Sequence, residues 1–354
     1  MSIKVEPYGT TKDGKEIKLY TITNRNNTVL KLTDMGAIWV SMIVADKDGN
    51  MDDVVLGLDS GDHYETESYD AFGATVGRNA NRICKHRFVL NGIEYNLADN
   101  DSGHNLHSGP DSYYTRLWKG EIIDDEEGQG VEFSLFSPDG DQGMPGNLNI
   151  SVSYVLTEDD SVVIEYNGVS DADTIVNMTN HSYFNLGGHK SGSIEDELVW
   201  IDAEGFTFGA DGVVTTGEIR NVSGTPLDFR QLKRIGDEID AEYEPLNRCG
   251  GYDHNFCLKT NGESVELVAK VVCEKTGRVM DIFTDLPGLQ MYTGNFINEK
   301  NPGKDGAVYH PRCGVAFETQ FYPDAINQPQ FPSPVVKAGE QFNYCTVYHF
   351  SVME

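Results

Sequence analysis

Residues 148–154 read LNISVSY, a stretch in which apolar and small polar side chains alternate. Successive side chains of a β-strand point to opposite faces of the sheet, so this alternation predicts a half-buried strand. The turn-forming residues TEDD follow at 157–160, and a second alternating run then carries Val162, Ile164 and Tyr166. Two alternating runs joined by such a turn predict an antiparallel β-hairpin.

The same two-residue period recurs towards the C-terminus. Residues 265–273, 279–283 and 342–352 each alternate, and the first two runs are joined by the turn-like KTGR at 275–278. One short helix is predicted over 229–234, with Asp228 as its N-cap. The 37 glycines and the many short strands predict an all-β fold, either a sandwich or barrel-like. Because no linker, charge block or repeat divides the chain, we expect residues 1–354 to form a single domain.

The composition excludes several classes of protein. Lys and Arg number 27 against 56 Asp and Glu, a net charge of -29, which repels nucleic acid and anionic membrane surfaces. No window approaches the ~20 apolar residues of a membrane span, and the N-terminal residues carry no apolar signal segment. The six cysteines are scattered without a Cys-x-x-Cys pair, which is typical of free thiols in a reducing compartment. We therefore expect a cytoplasmic protein.

Two histidine clusters break the strand pattern. His104 and His107 stand at i and i+3, but no Cys, His or carboxylate partner has the usual zinc spacing, so a hydrogen-bonding or catalytic histidine is favoured over a metal ligand. His181 lies in NMTNHSYFNL, residues 177–186, among apolar, aromatic and amide neighbours. It is either a satisfied core histidine or a catalytic acid.

Three further clusters carry polar or acidic groups. Residues 77–83, GRNANRI, offer donors for sugar hydroxyls or fix a loop. Asp253 follows two glycines, as in an Asx-turn or in a turn that presents a carboxylate. Glu318 follows an apolar run, where burial would raise its pKa towards that of a general base; the alternative is an edge-strand Glu that faces water.

Taken together, these clusters resemble the aldose 1-epimerase (galactose mutarotase) family from about Asp34 to the C-terminal strand. The resemblance rests on seven ordered motifs: GRNANRI (77–83), NLH (105–107), TNHSYFNL (179–186), TPLDFR (225–230), GYDH (251–254), QMYTGN (290–295) and ETQ (318–320). Two positions depart from the family pattern: Ser108, where glycine is more usual, and Leu227, where an aromatic residue is more usual. Neither departure removes a catalytic group.

The resemblance implies a large antiparallel β-supersandwich with an open cleft that binds a sugar. It implies Glu318 as general base, His181 as general acid and His107 as a histidine near the sugar ring oxygen. The residues implied to bind sugar hydroxyls or to form the cleft wall are Asn81, Arg82, Asp253, Gln290 and Tyr292.

The implied reaction is interconversion of the α and β anomers of a free hexose such as galactose or glucose, by a monomer or homodimer. It needs no cofactor, and the sequence has neither a phosphate-binding P-loop nor a dinucleotide-binding glycine motif. Three alternatives stay open. A hexose-6-phosphate mutarotase would need a basic cluster for the phosphate, and only Arg78 and Arg82 lie inside the motifs. A glycoside hydrolase would use paired carboxylates. A sugar-binding or sugar-sensing protein would need no catalytic pair.

Overall fold

A computed structural model describes residues 1–67, 70–124, 128–210, 214–298 and 302–353. Within these residues the chain forms 28 strands and two short α-helices. The strands are β1 (Ser2–Thr10), β2 (Glu16–Thr23), β3 (Val29–Thr33), β4 (Ile38–Ala45), β5 (Met51–Asp53), β6 (Ala74–Val76), β7 (Arg82–Ile83), β8 (Arg87–Leu90), β9 (Ile93–Asn96), β10 (Asn105–Leu106), β11 (Lys119–Asp124), β12 (Gly128–Ser137), β13 (Leu148–Thr157), β14 (Ser161–Ser170), β15 (Thr174–Ile175), β16 (Thr179–His181), β17 (Tyr183–Phe184), β18 (Leu198–Ile201), β19 (Ala203–Ala210), β20 (Val214–Asn221), β21 (Lys233–Arg234), β22 (Asp253–Leu258), β23 (Glu266–Cys273), β24 (Arg278–Thr284), β25 (Gly288–Tyr292), β26 (Val315–Gln320), β27 (Val335–Val336) and β28 (Gln341–Val352). The helices are α1 (Gly61–Glu67) and α2 (Glu244–Cys249).

Three large antiparallel sheets hold 20 of these strands, and the other eight described strands form two-stranded sheets. The large sheet has the order β11-β12-β13-β14-β28-β24-β23-β18-β21, and the N-terminal sheet runs β1-β2-β3-β4-β5. The third sheet, β17-β26-β25-β22-β19-β20, carries both acidic residues predicted for the site, Asp253 and Glu318, and is called the site sheet. The all-β prediction is confirmed. Among the described residues, no helix is long and apolar enough to cross a membrane.

One aromatic side chain joins the three sheets. Trp39 of β4 makes edge-to-face contacts with Tyr154 of β13, Phe184 of β17, and Tyr348 and Phe350 of β28, at ring-centroid distances of 5.5–6.5 Å. Such aromatic pairs contribute about 0.5–1.5 kcal/mol each beyond the burial of their area. Because one apolar cluster draws on all three sheets, we propose that the chain folds as a single domain.

The strand alternation read from the sequence is largely confirmed. The predicted hairpin is β13 and β14, paired from Leu148↔Ser170 to Leu156↔Val162. In β23, however, the buried face does not continue as expected, since Val268 is buried and Leu267 is 39% exposed. A register shift between Leu267 and Ala269 explains the change, because a β-bulge inserts a residue and reverses which side chains face the core.

The helix predicted over 229–234 is wrong. The carboxylate of Asp228 accepts hydrogen bonds from the Arg230 guanidinium at 2.9 and 2.7 Å, and Lys233–Arg234 forms the edge strand β21. Phe229 is buried against Tyr252 and Phe256. Tertiary packing of Phe229 and the local ion pair therefore override the weak helical signal of this segment.

Candidate active site

The site sheet supplies one wall of a cavity of about 670 Å³. Gln290 of β25 pairs directly with Glu318 of β26, and on its other side with Asn255 of β22. Directly opposed residues of neighbouring antiparallel strands point to the same face of a sheet, as do residues two apart in one strand. This register brings Glu318, Gln290, Asp253 and Tyr292 into the same cavity.

Short strands outside the site sheet supply further residues that line the cavity. β10 pairs with β7 through Leu106↔Arg82, so His107 follows directly beside Asn81. The backbone of His107 donates to the Asn81 carbonyl at 3.0 Å, and both residues adopt positive φ, 51° and 57°. His181 ends β16. The cavity is lined by all eight predicted site residues: Asn81, Arg82, His107, His181, Asp253, Gln290, Tyr292 and Glu318.

His181 and Glu318 face each other inside this cavity. His181 Nε2 lies 3.6 Å from Glu318 Oε1, and Glu318 is only 2% exposed. Burial raises the pKa of Glu318 well above its ordinary 4.5; the nearby Asp253 raises it further and Arg82 lowers it. Burial lowers the pKa of His181 to about 4. Burial disfavours the charged form of each group, which favours a neutral carboxyl beside a neutral imidazole. Transfer of the carboxyl proton to the imidazole gives a carboxylate and an imidazolium with the same number of protons, and this form supplies both a base and an acid.

His107 is anchored as a neutral ring. The backbone N–H of Asn81 donates to its Nδ1 at 3.1 Å, which leaves Nε2 as the nitrogen that carries the proton in the neutral ring. Burial lowers the pKa of His107 well below its ordinary value, and His181 and Arg82 add to this effect. His107 is therefore arranged to donate a hydrogen bond through Nε2.

Two imidazoles and a carboxylate are also a donor set for transition metals. One ligand atom each from His107, His181 and Glu318 lies within 4.8 Å of the others. A metal on His107 would have to displace either the Asn81 hydrogen bond to Nδ1 or the proton on Nε2. His104, the other histidine of this segment, accepts the Lys85 backbone N–H through Nδ1 at 3.2 Å. The hydrogen-bonding pattern thus fits proton and hydroxyl chemistry better than metal ligation.

Asp253 and Gln290 form a second polar pair. Gln290 Nε2 donates to Asp253 Oδ1 at 2.6 Å, and burial raises the pKa of the Asp253 carboxyl. The turn before Asp253 requires glycine at 251, where φ is 143° and an added Cβ would lie 2.4 Å from Asn295 Oδ1. The carboxylate therefore points to Gln290 and the cavity and does not close a local Asx-turn.

Sequence reasoning missed other residues of the cavity. Asp101, Asp70, Tyr114, Arg248 and Phe296 also line it. These residues lie outside the quoted motifs, and several are in irregular loops. Their only sequence signal is proximity to a motif, as for Asp101, six residues before His107.

Arg78 of the first motif lies outside the cavity altogether. It is 0% exposed, and its guanidinium donates to the Pro145 carbonyl at 2.7 Å and to Ser137 Oγ at 2.6 Å. Thr174 Oγ1 accepts a third hydrogen bond at 3.1 Å. Arg78 therefore holds loops together, whereas Arg82, four residues later, faces the cavity.

Comparisons with known proteins show the family of this chain. The family model for aldose 1-epimerase matches residues 18–349. Galactose mutarotase of Bos taurus is 41% identical over 317 residues, covering 90% of this chain and 89% of that protein. Aldose 1-epimerase of Escherichia coli (strain K12) is 35% identical over 341 residues, with 96% of each chain covered.

Solved structures show the same architecture. Galactose 1-epimerase from Lactobacillus acidophilus NCFM superposes with a TM-score of 0.87 at 27% identity, covering 100% of both chains. An aldose epimerase homologue from C. elegans gives a TM-score of 0.85 at 29% identity, over 95% of this chain and 99% of that one. The resemblance read from the motifs is confirmed, and the chain belongs to the aldose 1-epimerase family.

Proposed function

We propose that the protein is an aldose 1-epimerase that interconverts the α and β anomers of free hexoses such as galactose and glucose. The observation that carries this proposal is the pair of Glu318 Oε1 and His181 Nε2, 3.6 Å apart in a polar cavity of about 670 Å³. A cavity of this size is within the usual range of small-molecule sites, about 300–1,000 Å³. Relatives of this family named for the same activity support the proposal.

Mutarotation needs a base and an acid on two oxygen atoms attached to the same carbon. Glu318 takes the proton of the C1 hydroxyl while His181 gives a proton to the ring oxygen O5, and the C1–O5 bond breaks to leave an aldehyde. After rotation about C1–C2, O5 attacks the other face of the carbonyl and both protons return. Because O1 and O5 share C1, the two groups must lie close together, and a separation of 3.6 Å suits this.

The other residues bind and orient the sugar. The Nε2–H of His107 donates to an oxygen of the reacting centre, where charge develops as the C1–O5 bond breaks. Arg82, Asn81, Asp253 and Gln290 supply donors and acceptors for hydroxyl groups, and Tyr292 offers an aromatic wall. None of these steps uses a cofactor.

Polarimetry tests the proposal directly. Freshly dissolved α-D-galactose and α-D-glucose should approach the same final rotation faster with the purified protein than without it. The ratio of the two rates would rank the sugars. No acceleration of either sugar by a folded sample would contradict the proposed activity.

The phosphosugar alternative is weakened by the position of Arg78. Of the two arginines that the motifs offered for a phosphate, Arg78 is buried and fully engaged. Arg248 lines the cavity but donates to Glu244 at 2.7 Å, and Asp253 and Glu318 add negative charge. We therefore expect glucose-6-phosphate to be a poorer substrate than glucose, measured by the same polarimetric assay.

The remaining alternatives are tested by product analysis. A glycoside hydrolase would release sugar from an aryl glycoside, and a sugar sensor would bind galactose without turnover. We propose a cytoplasmic monomer or homodimer, which the net charge of -29 suits through solubility. Light scattering coupled to size-exclusion chromatography would distinguish monomer from homodimer.

A further inference from the structure

The guanidinium of Arg82 is held at one end. Its Nε donates to Asp101 Oδ2 at 2.6 Å, and the two side chains are 15% and 31% exposed. Within the described parts of the chain, no other group accepts a hydrogen bond from this guanidinium. The two terminal nitrogens are thus left for a ligand in the cavity that both residues line.

Asp101 is itself held in place by its loop. Its backbone exchanges hydrogen bonds with His104, from Asp101 N to His104 O at 3.2 Å and from His104 N to Asp101 O at 3.1 Å. The side chain of Asp99 accepts the Gly103 backbone N–H at 2.8 Å. The ring of His104 accepts the Lys85 backbone N–H. These hydrogen bonds therefore fix the position of the Asp101 carboxylate relative to β7, the strand that contains Arg82.

The position of Arg82 matters for the groups around it. Its positive charge lowers the pKa of both Glu318 and Asp253, so the cation acts on the same carboxyl groups that face the sugar. An arginine side chain has many rotamers, and fixing it before the ligand arrives reduces the entropy lost on binding. A partner that holds only Nε fixes the direction of the planar guanidinium and leaves its terminal nitrogens available.

We propose that Asp101 is a positioning residue, whose carboxylate holds Arg82 Nε so that the terminal nitrogens face the hydroxyl groups of the bound sugar. This inference rests on the proposed function for the identity of the ligand. It assigns to Asp101 an effect on sugar affinity that acts through the orientation of Arg82, while the charge of Arg82 and both residues of the proton-transfer pair stay in place.

A double-mutant cycle tests this assignment. D-galactose binding is measured by calorimetry, and KM and kcat by polarimetry, for the wild type, Asp101→Asn, Arg82→Met and the double variant. A partly exposed ion pair is worth up to about 1 kcal/mol, so Asp101→Asn should raise Kd and KM by up to about 5-fold, with little change in kcat. In the Arg82→Met background, where Asp101 has no guanidinium to hold, Asp101→Asn should cause little further loss.

Asp99→Asn is the matched control. It removes the same charge from the same loop, two residues away, and an amide oxygen can still accept the Gly103 N–H. We expect this variant to keep the affinity of the wild type.

Each other outcome overturns the assignment. If the wild type binds galactose and Asp101→Asn binds it with the same affinity, the positioning role of Asp101 is contradicted and the proposed function is not. Additive losses in the double variant would mean that Asp101 contacts the sugar directly, and an equal loss in Asp99→Asn would mean a general charge effect. No binding and no turnover by the wild type would contradict the proposed function, and this inference with it.

Discussion

Two buried glutamates of this protein look alike until their surroundings are compared. Glu318 and Glu197 are 2% and 3% exposed, and each has one carboxyl oxygen without a partner among the described residues. Burial raises the pKa of both, that of Glu197 to about 8. Glu318, however, lines the cavity beside His181, whereas Glu197 does not line that cavity and its Oε1 accepts the Leu186 backbone N–H at 2.6 Å.

The difference teaches that a raised pKa reports loss of solvent and does not by itself mark a catalytic group. Glu197 lies immediately before β18 and holds the backbone at Leu186. Because Glu197 does not line the cavity, its raised pKa cannot serve proton transfer to a ligand bound there. For Glu318 the same desolvation occurs next to an imidazole and an open space, which is the combination that proton transfer requires.

The largest expected effect comes from removing the proposed base, Glu318. Glu318→Gln keeps the shape of the side chain but cannot take the C1 hydroxyl proton, so kcat should fall by about 10²–10⁴-fold. The affinity for galactose should change little, because the cavity is unaltered. Polarimetry gives kcat and calorimetry gives Kd. A variant with near-normal kcat would remove Glu318 from the role of base and would make it resemble Glu197.

Removing the proposed acid, His181, should have the second largest effect. His181→Asn removes the ring that faces Glu318, and kcat should fall by about 10²-fold while KM changes less. Steady-state polarimetry over a range of galactose concentrations separates the two constants. If the loss were confined to KM, His181 would be a binding residue and Glu318 would act without it.

Sequence patterns predicted the features that depend on neighbouring residues in the chain. The hairpin at 148–166 follows from alternation alone, and the polar clusters contained Glu318 and His181 because such residues interrupt apolar strands. The assignment of roles to these residues came from the resemblance to a family, and the roles stay predictions.

Residues whose environment depends on distant contacts could not be predicted. Arg78 and Arg82 are four positions apart in one motif, yet loops near Pro145 enclose the first and a cavity receives the second. Glu197 gave no sequence signal, because its burial depends on packing between separate segments of the chain. The bulge at Leu267 likewise follows from pairing with β24, which alternation does not record.

Glu197→Gln should change the pH dependence of the free energy of unfolding and leave activity unchanged, which separates Glu197 from Glu318. The folded-state pKa of Glu197, about 8, lies above the ordinary 4.5 of an unfolded chain, so the protonated carboxyl stabilises the fold fully below pH 4.5 and this contribution is lost as pH rises to 8. Between pH 4.5 and pH 8 the free energy of unfolding of the wild type should fall by a few kcal/mol, at about 1.4 kcal/mol per pKa unit. The uncharged Glu197→Gln variant should not show this fall.

Denaturant unfolding of both proteins at pH 5 and pH 8 measures the difference. We expect the free energy of unfolding of Glu197→Gln relative to wild type to increase between the two pH values, with turnover unchanged. Comparing the change with pH removes any constant cost of accommodating the amide. Parallel behaviour of the two proteins would mean that Glu197 does not titrate in this window.

The smallest effect concerns how a cavity carboxylate is held. The Asp253 carboxylate is held by the Gln290 side chain at 2.6 Å, whereas a backbone N–H holds Glu197. Gln290→Met keeps the approximate volume but removes the amide that orients Asp253 and is itself proposed to bind a sugar hydroxyl, so KM for galactose should rise about 10-fold, as for the loss of one hydrogen bond to a charged group. We expect kcat to change less, since Glu318 and His181 are untouched. An unchanged KM would show that the position of Asp253 is set by its strand, as that of Glu197 is set by the backbone.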